Sequence, residues 1–325
     1  MVNENLGNKT NYLFNILKLI NFDFVLNSYK RHNKEIINLM FHRITDTTDP
    51  LWPPMKINAF KNILILLKEN CYIIDMRDLD KLISYPKRPI VILTFDDGYN
   101  DFYKNVMPLL KEYQIPATLN ICPLLIDKNT LPWTQILNEY LRLNTGNILS
   151  INKEIQIEIP AKPKQKLFNN ICSILYKLKN KERIKFINYL NESINNNYKT
   201  RLMTWDNVKE CSKNNINIGS HSMSHTNLGS NITLNNLNYE INESKNRIWK
   251  VLGVKPVTFS FPGGFYNKMS LSLAYKNYKY VLLCMDRTTY FNLNKRKYIM
   301  PRINMSKNNY YEEYLRSLGF HEIIK

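Results

Sequence analysis

Short apolar runs alternate along the chain with segments of helical periodicity. Seven runs predict buried strands, at residues 36–42, 71–74, 90–95, 117–122, 216–220, 257–261 and 279–285. Helices are predicted between them, where apolar side chains recur every three or four positions, at residues 58–68, 102–113, 205–213 and 234–251. Strands that alternate with helices are typical of a parallel sheet with crossover helices. The pattern therefore predicts an α/β barrel, in which functional side chains collect at the C-terminal ends of the strands.

One long segment interrupts this alternation. Residues 127–200 contain a helical pattern at 133–143, a polar hairpin-like piece at 148–159 and then Lys-rich helices. An insertion at the C-terminal rim of a barrel is typical of a lid or a substrate-recognition element. The alternative is a decoration that covers the helices of the barrel. We divide the chain into an N-terminal helical segment at 1–35 and a barrel domain at 36–325, with the insertion at about 127–200.

The net charge is strongly positive. Lys and Arg number 45 against 27 for Asp and Glu, which gives +18. Because the basic residues are scattered along a chain rich in Lys, Asn and Ile, the charge favours a compositional bias over a nucleic-acid groove. We therefore expect no nucleic-acid partner, and we keep peripheral contact with an anionic membrane as an alternative.

The cysteines and the N-terminal segment bear on the compartment. Five widely spaced cysteines without a C-x-x-C motif predict buried free thiols and a reducing compartment. The apolar stretch at 13–26 is interrupted by polar residues, which predicts a helix packed on the barrel, with a membrane-surface helix as the alternative. We therefore expect a cytoplasmic protein without a signal peptide or a transmembrane helix.

Two acidic residues follow the third predicted strand. A buried pair such as Asp96 and Asp97 needs a cation or a shared proton. Because neighbouring strand residues point to opposite faces, a bend at Gly98 is needed before both can serve one cavity. His221 and His225 also follow a strand, and their spacing predicts two imidazoles on one face of a helical turn. Together these residues favour a metal site with two histidines and one carboxylate.

Three motifs in this order carry a resemblance to a known family: TFDDGY at 94–99, HSMSH at 221–225 and FSFPGG at 259–264. The set resembles that of the polysaccharide deacetylases (NodB-homology domain, carbohydrate esterase family 4). Residues 203–206 resemble the helix that precedes the second motif, and residues 41–44 resemble the "yHri" start of extended members. The resemblance covers roughly residues 36 to 305 and implies a distorted (β/α)7 barrel of NodB-homology type with a helical insertion.

The resemblance also implies roles for individual residues. Asp97, His221 and His225 would hold Zn²⁺ or another divalent transition metal, and Asp96 would be the general base that activates the attacking water. Tyr99, Pro262 and Gly263 would border the substrate, with a backbone N–H near Gly263 stabilising the oxyanion.

Two departures from the family pattern direct attention to other residues. Ser260 stands where most relatives have an arginine that orients the catalytic aspartate, and we expect Arg302 to replace it. The late histidine His321 is one residue too far from its leucine for the family motif. We therefore expect His42 to be the general acid, with a role at the edge of the core as the alternative.

These expectations define a function. The chain is predicted to be a metal-dependent hydrolase that removes the N-acetyl group of an amino sugar in a surface polysaccharide or a lipid-linked glycan precursor. The alternatives are an O-acetyl esterase that uses the same site and a catalytically weak carbohydrate-binding module.

Overall fold

A computed structural model describes residues 33–195, 198–230, 232–305 and 310–319. The strands in chain order are β1 (Glu35–Phe41), β2 (Tyr72–Ile73), β3 (Ile90–Phe95), β4 (Ala117–Ile121), β5 (Ile148–Ser150), β6 (Gln156–Glu158), β7 (Ile216–Ser220), β8 (Thr258–Ser260), β9 (Tyr280–Cys284), β10 (Thr289–Tyr290) and β11 (Tyr298–Asn304). The α-helices are α1 (Ile57–Asn70), α2 (Met107–Tyr113), α3 (Pro123–Asp127), α4 (Trp133–Leu143), α5 (Gln165–Lys177), α6 (Asn180–Ser193), α7 (Trp205–Lys213), α8 (Leu234–Asn238), α9 (Ser244–Leu252), α10 (Lys268–Asn277) and α11 (Tyr310–Ser317).

Seven parallel strands close into a barrel, in the order β1, β11, β9, β8, β7, β4 and β3. The ring closes because β3 pairs with β1 along its whole length, from Ile36 opposite Ile90 to Phe41 opposite Phe95. The antiparallel strand β10 and the short strand β2 pair with β1 and β3 outside this ring. The predicted (β/α)7 barrel is therefore confirmed.

The identity of one barrel strand was predicted wrongly. Residues 71–74 contain β2, which has two residues and, among the described strands, pairs with β3 alone. The seventh strand of the ring is β11, which pairs with β9 and β1. The apolar pattern of β11 is interrupted by Pro301, Arg302 and Asn304. The sequence therefore shows a short strand-like run at 297–300 instead of a full buried strand.

The inner face of the barrel changes from apolar to polar toward the C-terminal ends of the strands. Alternate residues of a strand share a face, and Tyr298 and Met300 of β11 pack with Ile90 and Ile92 of β3 in one apolar cluster. The next position on β11 is Arg302, whose guanidinium donates to the Thr94 hydroxyl of β3 at 3.3 Å. The barrel interior is thus apolar along this cluster and polar near the C-terminal ends of the strands.

Two of the predicted helices contain π-helical turns. The predicted helix at 102–113 begins with a π turn at Phe102–Val106 and continues as α2. The predicted helix at 234–251 consists of α8, a π turn at Tyr239–Glu243 and α9. The second π turn carries the buried Glu240.

The segment between β4 and β7 contains the predicted elements. Helix α4 occupies residues 133–143 as expected, β5 and β6 form an antiparallel hairpin, and α5 and α6 follow. Buried polar contacts attach α4 to the barrel, because Asn138 Nδ2 lies 3.2 Å from both carboxylate oxygens of Asp49. Arg43 pairs with the same carboxylate at 3.1 Å.

The predictions about the cysteines and the N-terminal helix can be compared with the structure only in part. All five cysteines are free thiols, and four are buried, but Cys284 is exposed because it ends β9 at the mouth of the barrel. Within the described ranges, no helix is long and apolar enough to cross a membrane. The helix predicted at 13–26 lies outside the described residues.

Candidate metal centre and active site

A cavity of about 290 Å³ lies at the C-terminal end of the barrel. Strand termini and the loops that follow them supply most of its lining, including Met40, His42, Asp96, Asp97, His221, His225, Phe261, Gly263, Cys284 and Arg302. This is the end of a parallel barrel at which side chains from several strands can act on one ligand. The three sequence motifs therefore meet at one place.

Asp97, His221 and His225 converge within this cavity. Asp97 Oδ1 lies 3.3 Å from His221 Nε2 and 3.2 Å from His225 Nε2, and all three residues are buried. One ligand atom from each residue lies within 4.8 Å of the others. No other group of three or more such side chains in the described parts of the chain meets this criterion.

The donor set fits a divalent metal. Asp97 Oδ1 is buried and has no hydrogen bond from any described residue, although both imidazoles are near. His221 Nδ1 lies 3.0 Å from the Ser260 carbonyl oxygen, which can only accept, so Nδ1 carries the hydrogen and Nε2 keeps its lone pair. Burial raises the pKa of Asp97, but its contacts with the imidazoles outweigh burial and hold the pKa well below its ordinary value. An ionised carboxylate and an oriented imidazole are suitable ligands for zinc or a similar ion.

The loop that holds the histidines is not the predicted helical turn. Residues 221–225 have no helical structure, and Ser222 and His225 have positive φ angles of 62° and 60°. The two rings nevertheless lie 5.1 Å apart. Glu240 stabilises this loop, because its carboxylate accepts the amide hydrogens of Met223 and Ser224 at 3.0 and 2.9 Å.

A similar turn brings both acids into the cavity. Asp97 and Gly98 have φ angles of 75° and 79°, so the strand direction ends directly after Asp96. The bend expected at Gly98 is therefore present and already includes Asp97. Neighbouring side chains of a regular strand point to opposite faces. Because this turn ends the strand, both carboxylates can line the same cavity.

Asp96 is held by a dense set of donors. Arg302 binds it with both terminal nitrogens, at 2.9 Å to Oδ1 and 2.7 Å to Oδ2. Asn120 Nδ2 and the Ser260 hydroxyl donate to Oδ1 at 2.8 and 3.2 Å. Burial raises the pKa of Asp96, but the charge of Arg302 and its hydrogen bonds outweigh burial and place the pKa far below the ordinary value. Among the described residues Oδ1 thus accepts three hydrogen bonds and Oδ2 accepts one.

Gly219 makes room for this arrangement. A Cβ atom at Gly219 would lie 1.9 Å from Thr258 Oγ1 and 2.1 Å from Asn120 Oδ1. These two side chains meet over the glycine, where Thr258 donates to Asn120 at 3.1 Å. This contact orients the Asn120 amide toward Asp96.

Ser260 connects Asp96 to His221. Its hydroxyl lies 2.6 Å from His221 Nδ1 and donates to Asp96 Oδ1. The residue that departs from the family pattern thus contacts both the carboxylate and an imidazole. Arg302 occupies the position beside Asp96 that the sequence led us to expect for it.

His42 lies at the end of β1 and borders the same cavity. Its ring packs edge-on against Trp52 at 5.6 Å, and its Nδ1 is buried without a hydrogen bond from any residue in the described ranges. Burial lowers the pKa of His42, against the opposing effect of the Asp97 and Asp96 charges. The imidazole is therefore neutral before a substrate or an ion binds.

The remaining predicted site residues do not all border the cavity. Gly263 borders the cavity and has a φ of 60°, whereas Pro262 and Tyr99 are absent from its lining. The Tyr99 side chain is 1% exposed and packs on Trp52 and below the Arg43 guanidinium. His321 lies outside the described residues.

Some cavity residues were missed in the sequence. Phe168, Cys172 and Tyr176 of α5 border the cavity, at intervals of four residues. Their spacing is that of an ordinary apolar stripe, which does not distinguish a cavity wall from a packed core. Glu240 and Asn120 carried no sequence signal, because each acts through a contact with a distant segment.

Known structures share this fold. A deacetylase from Streptococcus pyogenes, PplD, solved in complex with acetate, is 18% identical, with 87% of this chain and 98% of that chain covered and a TM-score of 0.59. IcaB from Ammonifex degensii is 12% identical, with 88% and 97% covered and a TM-score of 0.55. At this identity the likeness concerns the fold.

Sequence comparison identifies the family. Poly-beta-1,6-N-acetyl-D-glucosamine N-deacetylase from Escherichia coli is 30% identical over 86 residues, which are 25% of this chain and only 13% of that protein. The polysaccharide deacetylase family profile matches residues 84–143 and 162–281, more than half of the chain. The chain therefore belongs to the polysaccharide deacetylase family, a family of hydrolases.

Proposed function

We propose that this protein is a metal-dependent deacetylase that hydrolyses the N-acetyl group of an amino sugar. The observation that carries the proposal is the convergence of Asp97, His221 and His225 beside Asp96 at the open end of the barrel. The match to a deacetylase of a poly-N-acetylglucosamine supports an N-acetylated glycan as the substrate class. The substrate is part of a surface polysaccharide or of a lipid-linked precursor, and the charge of +18 supports contact with an anionic membrane in the second case.

The three converging side chains would hold the metal, and zinc suits this donor set best. A bound zinc ion would polarise the acetyl carbonyl and lower the pKa of a water molecule toward about 7. Asp97 and the two Nε2 atoms supply three ligands, which leaves coordination positions open. The contact of His221 Nδ1 with Ser260 would keep one imidazole in the ligating tautomer.

Asp96 would accept the proton of the attacking water through Oδ2. Its low pKa makes it a weak base in isolation. A weak base suffices when the pKa of the water is lowered as well. Arg302 would keep the carboxylate in one orientation, which matters because general-base catalysis depends on geometry within hydrogen-bond reach.

His42 would give a proton to the leaving amine. The neutral imidazole would receive the proton that Asp96 takes from the attacking water, before the C–N bond breaks. Burial lowers the pKa of His42, and the charges of Asp97 and Asp96 oppose that effect and stabilise the imidazolium. The C–N bond then breaks to release acetate and a free amine. The ring contact with Trp52 fixes the orientation of the imidazole at the cavity wall.

Acetate release tests the proposal directly. The purified protein should release acetate from N-acetylglucosamine oligomers, and chelation should abolish this activity. O-acetylated sugars are the matched comparison, because they test the ester alternative on the same site. Activity on O-acetylated sugars alone would replace the N-deacetylase proposal with the esterase.

The first prediction concerns metal binding. We expect about one zinc or similar ion per chain, the stoichiometry of a three-ligand catalytic site. His221→Ala or His225→Ala should lose most of this metal, because a three-ligand site cannot spare one ligand. Metal content by mass spectrometry checks this, with His42→Ala as a control that keeps the ion. Full occupancy in the His221→Ala, His225→Ala double variant would refute the ligand assignment.

The second prediction separates the roles of the two acids. Asp96→Asn should retain the metal and lose turnover by about 10²-fold or more, the scale expected when a general base is removed. Asp97→Asn should lose both metal and turnover. Metal content and kcat measured on the same preparations check this. If Asp96→Asn emptied the site while Asp97→Asn kept the metal, the two roles would be reversed.

The third prediction concerns the pH dependence that Arg302 imposes. Because Arg302 holds the pKa of Asp96 far below its usual range, Asp96 stays ionised over the working pH range. In Arg302→Met this pKa rises, so turnover should be lost at a higher pH as the solution is acidified. The acid limb of the kcat/KM profile measures the change.

The control for Arg302→Met is Arg247→Met. Arg247 pairs with Asp127 on the surface, and its loss should leave the acid limb unchanged. Since breaking a buried ion pair costs about 3–5 kcal/mol, circular dichroism must first establish that Arg302→Met is folded. A folded Arg302→Met variant with an unshifted acid limb would contradict a role for Arg302 in holding Asp96.

The fourth prediction concerns the general acid. An amine leaves poorly without a proton, whereas a phenolate leaves readily. His42→Ala should therefore lose N-deacetylation by about 10²-fold while largely retaining hydrolysis of an aryl acetate. His321→Ala is the comparison variant and should retain both activities. Undiminished amide turnover in His42→Ala would exclude His42 as the acid.

A further inference from the structure

Helix α5 contributes a wall of the cavity. Phe168, Cys172 and Tyr176 follow one another at intervals of four residues, so they lie on one face of the helix. All three border the cavity that holds Asp97 and the two histidines. The segment between β4 and β7 therefore presents side chains directly to the reacting groups.

Tyr176 is the polar member of this wall, and its ring is fixed. The ring packs edge-on against Trp133 of α4 at 5.0 Å and in a tilted arrangement on Phe265 at 4.5 Å. Phe265 follows directly after the turn Pro262–Gly264. Because two aromatic rings pack against the Tyr176 ring, its hydroxyl is held near one position.

The hydroxyl of Tyr176 lies against Gly263. A Cβ atom at Gly263 would be 2.8 Å from the phenol oxygen, so only glycine allows this approach. The hydroxyl makes no hydrogen bond to a residue in the described part of the chain, and neither does the amide N–H of Gly263. Tyr176 and Gly263 thus each bring to the cavity a donor without a partner among the described residues.

The protonation state of the Tyr176 hydroxyl suits a hydrogen-bond donor. Burial, aided by the nearby charge of Asp97, raises the pKa of Tyr176 well above its ordinary value. The hydroxyl therefore keeps its proton near neutral pH. A protonated phenol beside a free amide is a suitable pair for an oxygen that gains negative charge.

We propose that the Tyr176 hydroxyl donates a hydrogen bond to the acetyl carbonyl oxygen of the substrate while water attacks the carbonyl carbon. This inference rests on the proposed function and adds a catalytic residue from the segment between β4 and β7. The carbonyl π electrons move to the oxygen during attack and return when the C–N bond breaks. Tyr176 keeps its proton throughout, so the step adds electrostatic stabilisation only.

The test is Tyr176→Phe, which removes the hydroxyl and keeps the ring contacts with Trp133 and Phe265. We expect kcat to fall by about 10²-fold, the scale for loss of one oxyanion donor. The loss should be equal for an N-acetyl amino sugar and an aryl acetate, because both have the acyl oxygen. KM, metal content and the thermal midpoint should stay unchanged. Tyr189→Phe, on the exposed surface of α6, is the matched control and should behave as the unaltered protein.

Three results would overturn the inference. An unchanged kcat in Tyr176→Phe would exclude the hydrogen bond. A loss of kcat for the amino sugar alone would mean that the hydroxyl binds a sugar group and not the acyl oxygen. A loss of metal or a lower thermal midpoint would assign Tyr176 a structural role.

The inference and the proposed function can fail separately. If the unaltered protein hydrolysed aryl acetates but no N-acetyl sugar, the N-deacetylase proposal would fail, while the aryl acetate measurement would still decide the role of Tyr176.

Discussion

The burial of two neighbouring carboxylates, Asp96 and Asp97, is the constraint on which the surroundings of the cavity depend. Removing an ionised carboxylate from water costs several kcal/mol unless charges or donors compensate it. The protein compensates Asp96 with its own guanidinium, amide and hydroxyl donors. Around Asp97 it provides two imidazoles whose Nε2 atoms lie 3.3 and 3.2 Å from the same carboxylate oxygen. The charge of Asp96 is thus neutralised by the protein itself, whereas Asp97 is arranged to bind an external cation. This difference in surroundings supports different roles for the two aspartates.

Closure of the barrel makes this compensation possible. Arg302 and Asp96 are 206 positions apart in the chain, yet each side chain is 1% exposed and they form a two-point ion pair. β11 lies two strands from β8, but both face the interior of the same ring. An arginine on either strand can therefore reach the carboxylate at the end of β3. The small Ser260 on β8 leaves space for the guanidinium from β11 and connects Asp96 to His221 instead.

The sequence predicted the strand-end positions of the chemistry well, because a parallel barrel places all strand termini at one mouth. It recognised a strand-like run at 297–300 but did not count β11 among the barrel strands, since Arg302 and its polar neighbours interrupt the apolar pattern that marks a buried strand. The loop of the histidines was also predicted wrongly in detail. Its left-handed residues Ser222 and His225 flank two amides that bind the distant carboxylate of Glu240. Tyr176 could not be found, since a stripe of apolar spacing looks the same against a core or a cavity. In each case the missing information is a contact between segments far apart in the chain.

The attachment of the segment between β4 and β7 bears on whether it moves. Asp49 is buried and accepts from Arg43 and from Asn138 of α4, and it also caps the loop that carries Trp52. Trp52 packs on His42, so one carboxylate links the insertion to the surroundings of the proposed acid. Opening the insertion as a lid would separate Asn138 from Asp49, and breaking a hydrogen bond to a buried charge costs free energy. We infer that α4 and α5 act as a fixed wall, which holds Tyr176 at a constant position in the cavity.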